Sequence, residues 1–128
     1  MSPTLEIESR LASERNIWLA TVRANGTPHL VPIWFVWWDG RAWICTSPKS
    51  VKARNLGNQP NVMFALEDGN KPALAEGNAA RVEAPFPDAL ADAFKTKYGW
   101  DINADSDYGA VFEIQVTRWL SWNTGSTQ

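Results

Sequence analysis

The sequence predicts a mainly β protein of the α+β type, an antiparallel barrel with a few short helices. Short segments rich in β-branched and aromatic residues recur along the chain. The dipeptides Asn25-Gly26 and Asp39-Gly40 separate the first three of these segments, and such dipeptides mark tight hairpins. Many short strands joined by tight turns favour an antiparallel barrel over a parallel α/β sheet.

The first half of the chain is predicted to contain one helix and three strands. The helix covers 4–14, because Pro3 and Thr4 are start signals and apolar residues such as Leu11 recur at helical spacing. The strands are predicted from their β-branched and aromatic content. They cover 16–24, 29–38 and 41–46.

The second half is predicted to contain two helices and three strands. The helices cover 50–57, with Ser50 as N-cap, and 88–98, which Gly99 terminates. The strands follow the same composition rule as the first three. They cover 61–67, 72–83 and 108–116, the last with an extension over 119–122.

Composition restricts the class of protein. The chain has 128 residues, which suits one domain over 1–128, and its net charge of -2 gives no basic face for nucleic acid. The longest apolar run, 30–38, is too short for a membrane helix. Cys45 is the single cysteine, and the N-terminus lacks a signal peptide pattern. These features predict a cytoplasmic protein without membrane or nucleic-acid partners.

The sequence shows no catalytic centre built from side chains alone. His29 is the only histidine, so a Ser-His-Asp or Cys-His centre would depend on it, and it is interpreted as structural or solvent-facing. One histidine and one cysteine do not make a zinc site, and no metal site is predicted. The acidic residues of 67–68 and 101–107 could pair as in a glycosidase, but their turn positions favour solvated loops.

The segment 46–56 carries the clearest functional signal. Hydroxyl and cationic side chains surround the start of a predicted helix, where unpaired N–H groups favour an anion. An exposed face with unconnected lysines is the alternative interpretation. The residues concerned are Thr46, Ser47, Lys49, Ser50, Lys52 and Arg54.

An aromatic strand precedes this segment and could form the apolar wall of a ligand site. Core packing alone would also explain these aromatic residues. Alternation places two sets of side chains on opposite faces. One set is Pro32, Trp34 and Trp38, and the other is Val31, Ile33, Phe35 and Trp37.

Several segments together resemble the pyridoxamine-phosphate-oxidase-like flavin and deazaflavin oxidoreductases. The segment 20–35 is similar to their opening hairpin, and 50–56 with 58–62 is similar to their phosphate-binding helix and next strand. The segments 75–79 and 111–116 resemble later strands, so the likeness runs from about Leu19 to Trp122.

The resemblance implies a split β-barrel homodimer with cofactors in two clefts at the subunit interface. It implies that Lys52 and Ser50 bind the cofactor phosphate. It also implies that two further sets of residues lie along the cofactor, whereas Lys49 and Arg54 are added from charge alone. These sets are Thr46 with Ser47, and Val31, Pro32, Ile33 and Trp34.

Three departures from the family pattern restrict the reaction. The oxidases have an arginine early in the second strand, where this chain has Leu30, Val31 and Pro32. Val51 stands where an arginine often precedes the helix lysine, and the segment 118–124 lacks the family's Arg-x-His substrate motif. Formation of pyridoxal phosphate is therefore not expected.

The first hypothesis is an FMN-binding oxidoreductase that transfers hydride between the flavin and a small planar substrate, with coenzyme F420 as the alternative cofactor. Two further hypotheses are a non-catalytic flavin-binding module and a haem-binding protein with His29 as ligand. Because the cofactor would carry the chemistry, no catalytic side chain is assigned. Tyr98, Trp100 and Tyr108 are predicted to line a substrate pocket or to pack in the core.

Overall fold

Seven antiparallel strands and three helices make up residues 3–121, the part of the chain that the computed structural model describes. The element types and their order agree with the sequence prediction except at one strand. In chain order the elements are α1 (Leu5–Ser13), β1 (Asn16–Val22), β2 (Pro28–Trp34), β3 (Val36–Trp38), β4 (Arg41–Thr46), α2 (Val51–Asn58), β5 (Asn61–Leu66), β6 (Ala73–Val82), α3 (Asp88–Tyr98) and β7 (Ala110–Ser121).

All seven strands belong to one sheet in the order β2-β1-β5-β6-β7-β4-β3. The two edge strands, β2 and β3, are consecutive in the chain and are separated only by Phe35. The sheet must therefore curl so that its two edges approach each other, which gives a half-barrel. The predicted mainly β, antiparallel split barrel is confirmed.

The prediction of one unbroken strand over 29–38 is wrong. β2 pairs with β1, whereas β3 pairs with β4 at the opposite edge of the sheet. The chain changes partners at Phe35, which is fully buried. The predicted alternation of side chains between the two faces nevertheless continues across the break, because Ile33, Phe35 and Trp37 all pack in the same core.

The helix boundaries follow from their capping residues. Thr4 Oγ1 accepts a hydrogen bond from the Ile7 backbone N–H at 3.2 Å, and Ser50 Oγ accepts one from Ala53 N–H at 3.1 Å. Gly99 ends α3 in the left-handed conformation, with φ of 67°. The predicted extension of the last strand is confirmed as far as Ser121, and Trp122 lies outside the described residues. Within residues 3–121, no helix has both the length and the apolar character needed to cross a membrane.

Two hydrophobic cores lie on the two sides of the sheet. The first fills the half-barrel, with Phe35, Phe64 and Phe112 among its buried residues. The second lies between α3 and the outer face of β3, β4 and β7. Its buried residues are Val36, Trp43, Cys45, Leu90, Phe94, Ile102 and Val111.

A third apolar surface, on the outer face of β2, β1, β5 and β6, is not covered by any helix among the described residues. Three of its large side chains are exposed: Leu30 at 60%, Trp18 at 42% and Met63 at 36%. We call this surface the outer apolar face. It surrounds a hollow of about 520 Å³ lined by Trp18, Ala20, Leu30, Met63, Phe64, Ala65 and Leu74.

Candidate cofactor cleft

A cleft of about 640 Å³ lies where the end of β2, the end of β4, the start of α2 and the loop after α3 meet. This volume is within the usual range for sites that bind small molecules and cofactors. Its lining residues are Asn16, Pro32, Ile33, Trp34, Cys45, Thr46, Lys52, Tyr98, Gly99, Trp100, Asp105 and Tyr108.

At one end of the cleft, the hydroxyl of Ser50 is arranged to donate to an anion. Thr46 Oγ1 donates to Ser50 Oγ at 3.1 Å, and the Ala53 N–H donates to the same oxygen at 3.1 Å. The oxygen therefore accepts two hydrogen bonds, which leaves the Ser50 O–H free to donate. The first N–H groups of α2 also lack partners within the helix. This combination suits a phosphate group.

Lys52 adds a cation to this end of the cleft. Burial lowers the pKa of its ammonium, and no carboxylate within residues 3–121 forms an ion pair with it. The helix is fixed in place by buried Asn55, whose Nδ2 donates to Thr21 Oγ1 on β1 at 3.0 Å. Since Lys52 lies three residues before Asn55, it belongs to the same side of α2. A phosphate would satisfy its charge.

His29 lies beside this cationic end but is not a lining residue of the cleft. It pairs in register with Thr21 across β1 and β2. Burial first, and then the charges of Arg23 and Lys52, lower the pKa of its imidazole. Its Nδ1 is buried without a hydrogen-bond partner in the described part of the chain. The three groups form a basic cluster, and the residues present therefore fit an anionic cofactor.

The opposite wall of the cleft is aromatic. The rings of Trp34 and Tyr98 stack with centroids 4.4 Å apart, and Trp100 meets Trp34 edge-on at 6.1 Å. The guanidinium of Arg15 lies 4.9 Å from the Tyr98 ring centroid and 5.3 Å from that of Trp34. Such a wall can hold a planar conjugated ring by stacking.

The loop after α3, residues 99–109, closes one side of the cleft. Trp100 Nε1 donates to Asp105 Oδ2 at 3.0 Å, and Asp105 Oδ1 accepts from the backbone N–H groups of Asp107 and Tyr108 at 3.0 and 3.1 Å. Tyr108 meets Trp100 edge-on at 5.8 Å. Burial, and then the charge of Asp105, raise the pKa of the Cys45 thiol to about 12. This thiol is therefore not a nucleophile near neutral pH.

The structure brings together half of the residues that the sequence predicted for the cofactor. Pro32, Ile33, Trp34, Thr46 and Lys52 line the cleft. Ser50 touches it through its hydrogen bond with Thr46. The other four predicted residues are not lining residues: Val31 and Ser47 are partly exposed, and Lys49 and Arg54 are exposed.

All three residues predicted for either a substrate pocket or the core line the cleft: Tyr98, Trp100 and Tyr108. Sequence reasoning missed three lining side chains. Asn16 carries no sequence signal, and Cys45 was considered only for its redox state. The sequence places Asp105 in a predicted solvated loop, and the signal that points to its role is the need of the nearby Trp100 N–H for an acceptor.

Comparison with known proteins identifies the family. The family model described as pyridoxamine 5′-phosphate oxidase matches residues 4–123. A conserved hypothetical protein from Mycobacterium tuberculosis is 30% identical, with a TM-score of 0.76 over 96% of this chain and 86% of that chain. No curated protein sequence matches this chain.

Two further solved structures share the fold at lower identity. HutZ, the haem storage protein from Vibrio cholerae, is 22% identical, with a TM-score of 0.79 over 94% of this chain and 95% of that chain. An F420 reductase is also 22% identical, with a TM-score of 0.72 over 88% and 94% of the two chains. The match of the family model to residues 4–123 shows that the chain belongs to the pyridoxamine 5′-phosphate oxidase family.

Proposed function

We propose that the protein is an FMN-dependent oxidoreductase that transfers hydride between the flavin and a small planar substrate. The observation that carries the proposal is that Lys52 and Trp34 line the same cleft. One supplies a cation beside a helix start, and the other belongs to an aromatic wall. A phosphate at one end and a flat ring at the other is the shape of FMN.

In this proposal each part of the cleft has a separate task. Ser50 and Lys52 bind the phosphate, together with the first N–H groups of α2. Trp34 supports the ring, and Pro32 and Ile33 lie along it as apolar neighbours that exclude water. Bound flavin would supply the redox chemistry, so the protein's contribution is binding and orientation.

Coenzyme F420 is the second cofactor candidate for the same cleft. Similarity to an F420 reductase supports it at the level of the fold. Arg23, Lys49 and Arg54 also form no ion pair within residues 3–121, and a cofactor with additional anionic groups would use such cations. FMN remains the first candidate because the polar end of the cleft itself holds one cation, Lys52.

Haem binding is the third candidate, and the similarity to a haem storage protein supports it. His29 is the only histidine of the chain, and it does not line the cleft. A haem in this cleft would therefore have no imidazole ligand from the same chain. This placement disfavours haem relative to a flavin or deazaflavin.

We also propose that the protein is a homodimer through the outer apolar face. Leu30, Pro32 and Trp34 alternate on one face of β2, and their exposure agrees with that face being outward. Leu30 belongs to the outer apolar face, whereas Pro32 and Trp34 line the cleft. A partner seated on the apolar face would therefore border the cleft and help to enclose the cofactor.

The first experiment compares FMN with riboflavin, which has the same ring but no phosphate. We expect FMN to bind the wild-type protein more tightly, and Lys52→Met to weaken FMN about 10- to 100-fold, as for a lost charge-assisted hydrogen bond. Riboflavin affinity should stay unchanged. Lys49→Met is the matched control, because Lys49 is exposed and does not line the cleft.

Three results would redirect the proposal. Equal affinities for FMN and riboflavin would reject the phosphate site. Tight binding of F420 with weak binding of FMN would keep the cleft and change the cofactor. Tight FMN binding without faster oxidation of the reduced flavin by planar acceptors, compared with free flavin, would identify a non-catalytic flavin-binding module.

A further inference from the structure

We propose that the loop 99–109 is the wall that faces the second substrate, and that Asp105 makes the cleft select planar acceptors that carry no negative charge. This inference rests on the proposed function, since it concerns the molecule that exchanges hydride with the cofactor. It adds a substrate class and a specificity-determining residue, neither of which the family assignment supplies.

Among residues 3–121, Asp105 is the one acidic residue that lines the cleft. Its carboxylate is held by three hydrogen bonds, from the Trp100 indole and from the N–H groups of Asp107 and Tyr108. Asp105 forms no ion pair with any cation of residues 3–121. The position of its charge is therefore fixed, and the charge is not neutralised by a neighbour.

The charge of Asp105 acts on the interior of the cleft. It is the second cause, after burial, of the raised pKa of the Cys45 thiol, and Cys45 is another lining residue. The field therefore already opposes a thiolate at this position. An anionic group of a ligand near the same wall would meet the same repulsion, which is stronger in a partly desolvated cleft than in water.

The cleft consequently contains groups of opposite charge. Lys52 and the start of α2 favour an anion, whereas Asp105 disfavours one. The phosphate of the cofactor is thereby directed to the Lys52 end. The space beside Asp105 is left for a molecule without a phosphate or carboxylate, which separates this protein from an oxidase whose substrate is itself a phosphate ester.

The aromatic residues of the loop determine the shape of that molecule. Trp100 meets both Trp34 and Tyr108 edge-on, at 6.1 and 5.8 Å between centroids. Tyr108 is 46% exposed and Trp34 is 40% exposed, so both rings retain surface for a ligand. Stacking on such rings favours a planar conjugated acceptor over an aliphatic one.

The test uses three planar probes with the same tricyclic ring: phenazine, phenazine-1-carboxylate and the N-methylphenazinium cation. Their dissociation constants are measured by calorimetry on the protein loaded with oxidised FMN, so that no turnover is needed. We expect the neutral and cationic probes to bind about ten-fold more tightly than the carboxylate, a difference typical of one partly screened like-charge contact.

The decisive variant is Asp105→Asn, and the matched control is Asp107→Asn. Asp107 belongs to the same loop but is exposed and does not line the cleft. We expect Asp105→Asn to reduce the discrimination against the carboxylate about five-fold or more, measured at saturating FMN so that a change in FMN affinity does not enter the comparison. Discrimination that is equal in wild type and Asp105→Asn, or that falls equally in Asp107→Asn, would overturn the inference.

A second measurement on the wild-type protein does not depend on the variant folding. Raising the ionic strength should weaken the discrimination between phenazine and its carboxylate, because salt screens a charge-based preference. A preference that neither salt nor Asp105→Asn changes would be steric and would overturn the role of Asp105. If FMN fails to bind while the probes still show the Asp105-dependent preference, the proposed function fails and the charge selectivity of the cleft stands.

Discussion

The indole of Trp34 and the phenol ring of Tyr98 lie parallel, with centroids 4.4 Å apart and an interplanar angle of 7°. Trp34 ends β2 and Tyr98 ends α3, so the stack joins the helix to an edge of the sheet. The Tyr98 hydroxyl accepts from the Phe35 N–H at 2.9 Å and lies 2.6 Å from the Phe35 carbonyl oxygen. One side chain thus supports both the cleft wall and the joint between the two edge strands.

We expect Tyr98→Phe to destabilise the protein by about 1–3 kcal/mol, because the Phe35 N–H loses its partner at a buried residue. The ring stack with Trp34 should persist. Urea unfolding measures the free energy. Tyr108→Phe is the control, since the Tyr108 hydroxyl forms no hydrogen bond within the described residues. Equal losses in the two variants would contradict the role of Phe35.

Gly77 occupies a position on β6 where a side chain does not fit. A Cβ there would collide with the backbone oxygen of Gln115 on β7, and the register shifts next to it, between Glu76 and Gly77. We expect Gly77→Ala to cost about 1–3 kcal/mol of unfolding free energy, as overpacking against backbone does. Thermal and urea unfolding would measure it.

The control for this substitution is Gly69→Ala. A Cβ at Gly69 would have no heavy atom within 4 Å, and Gly69 lies in the turn between β5 and β6. We expect this variant to remain close to wild type. A larger loss for Gly69→Ala than for Gly77→Ala would show that the close approach of β6 and β7 does not restrict this position.

Lys97 should make stability depend on pH. Its Nζ donates to the backbone oxygens of Phe35 at 3.0 Å and Leu11 at 3.3 Å. Burial, and then the charge of Arg15, lower its pKa to about 8 from 10.5. The unfolded chain therefore binds more protons than the folded protein between these two values. The contribution to stability is complete above 10.5 and is lost as pH falls through about 8.

The measurement compares unfolding free energies of wild type and Lys97→Arg from pH 7 to 10. Arginine keeps its charge over this range, so wild type should gain stability relative to the variant as pH rises. Lys95→Arg on the exposed side of α3 is the control. A difference between wild type and Lys97→Arg that does not change with pH would contradict the lowered pKa.

Local signals account for much of the fold that the sequence predicted. The Ser50 and Gly99 caps and the Asn25-Gly26 turn each have a short-range cause, and all three are present. The break at Phe35 has no such cause. Residues 30–38 form a continuous apolar run. Only the curling of the sheet, a long-range property, sends the two halves of this run to opposite edges.

The residues of the candidate site also fall into two groups, those with a local sequence signal and those that only the fold brings to the cleft. Lys52 and Thr46 were predicted because they flank one helix start, where an anion site has a sequence signature. Asp105 and Asn16 reach the cleft only because distant elements bring them there: Asn16 pairs with Trp34 across β1 and β2, and Asp105 follows α3. The sequence gives no signal for Asn16, and for Asp105 it offers only the need of the nearby Trp100 N–H for an acceptor.

The outer apolar face leads to the last prediction. Leu30 is 60% exposed and pairs in register with Ala20. The Trp18 and Pro32 pair lies two register positions along the same two strands, and its Pro32 lines the cleft. Exposed apolar patches of several hundred Å² mark interaction sites in most proteins. We therefore expect the wild-type protein to sediment as a dimer at micromolar concentration, and Leu30→Glu to sediment as a monomer because a charge would be buried in the interface.

Leu5→Glu is the matched control for this substitution, since Leu5 is 86% exposed on α1 and lies outside the outer apolar face. It should remain dimeric. The monomeric Leu30→Glu protein should also bind FMN more weakly, although Leu30 does not line the cleft, because the partner no longer encloses the cofactor. A wild-type monomer would reject the interface. A monomeric variant with undiminished FMN affinity would show instead that each chain holds its cofactor alone.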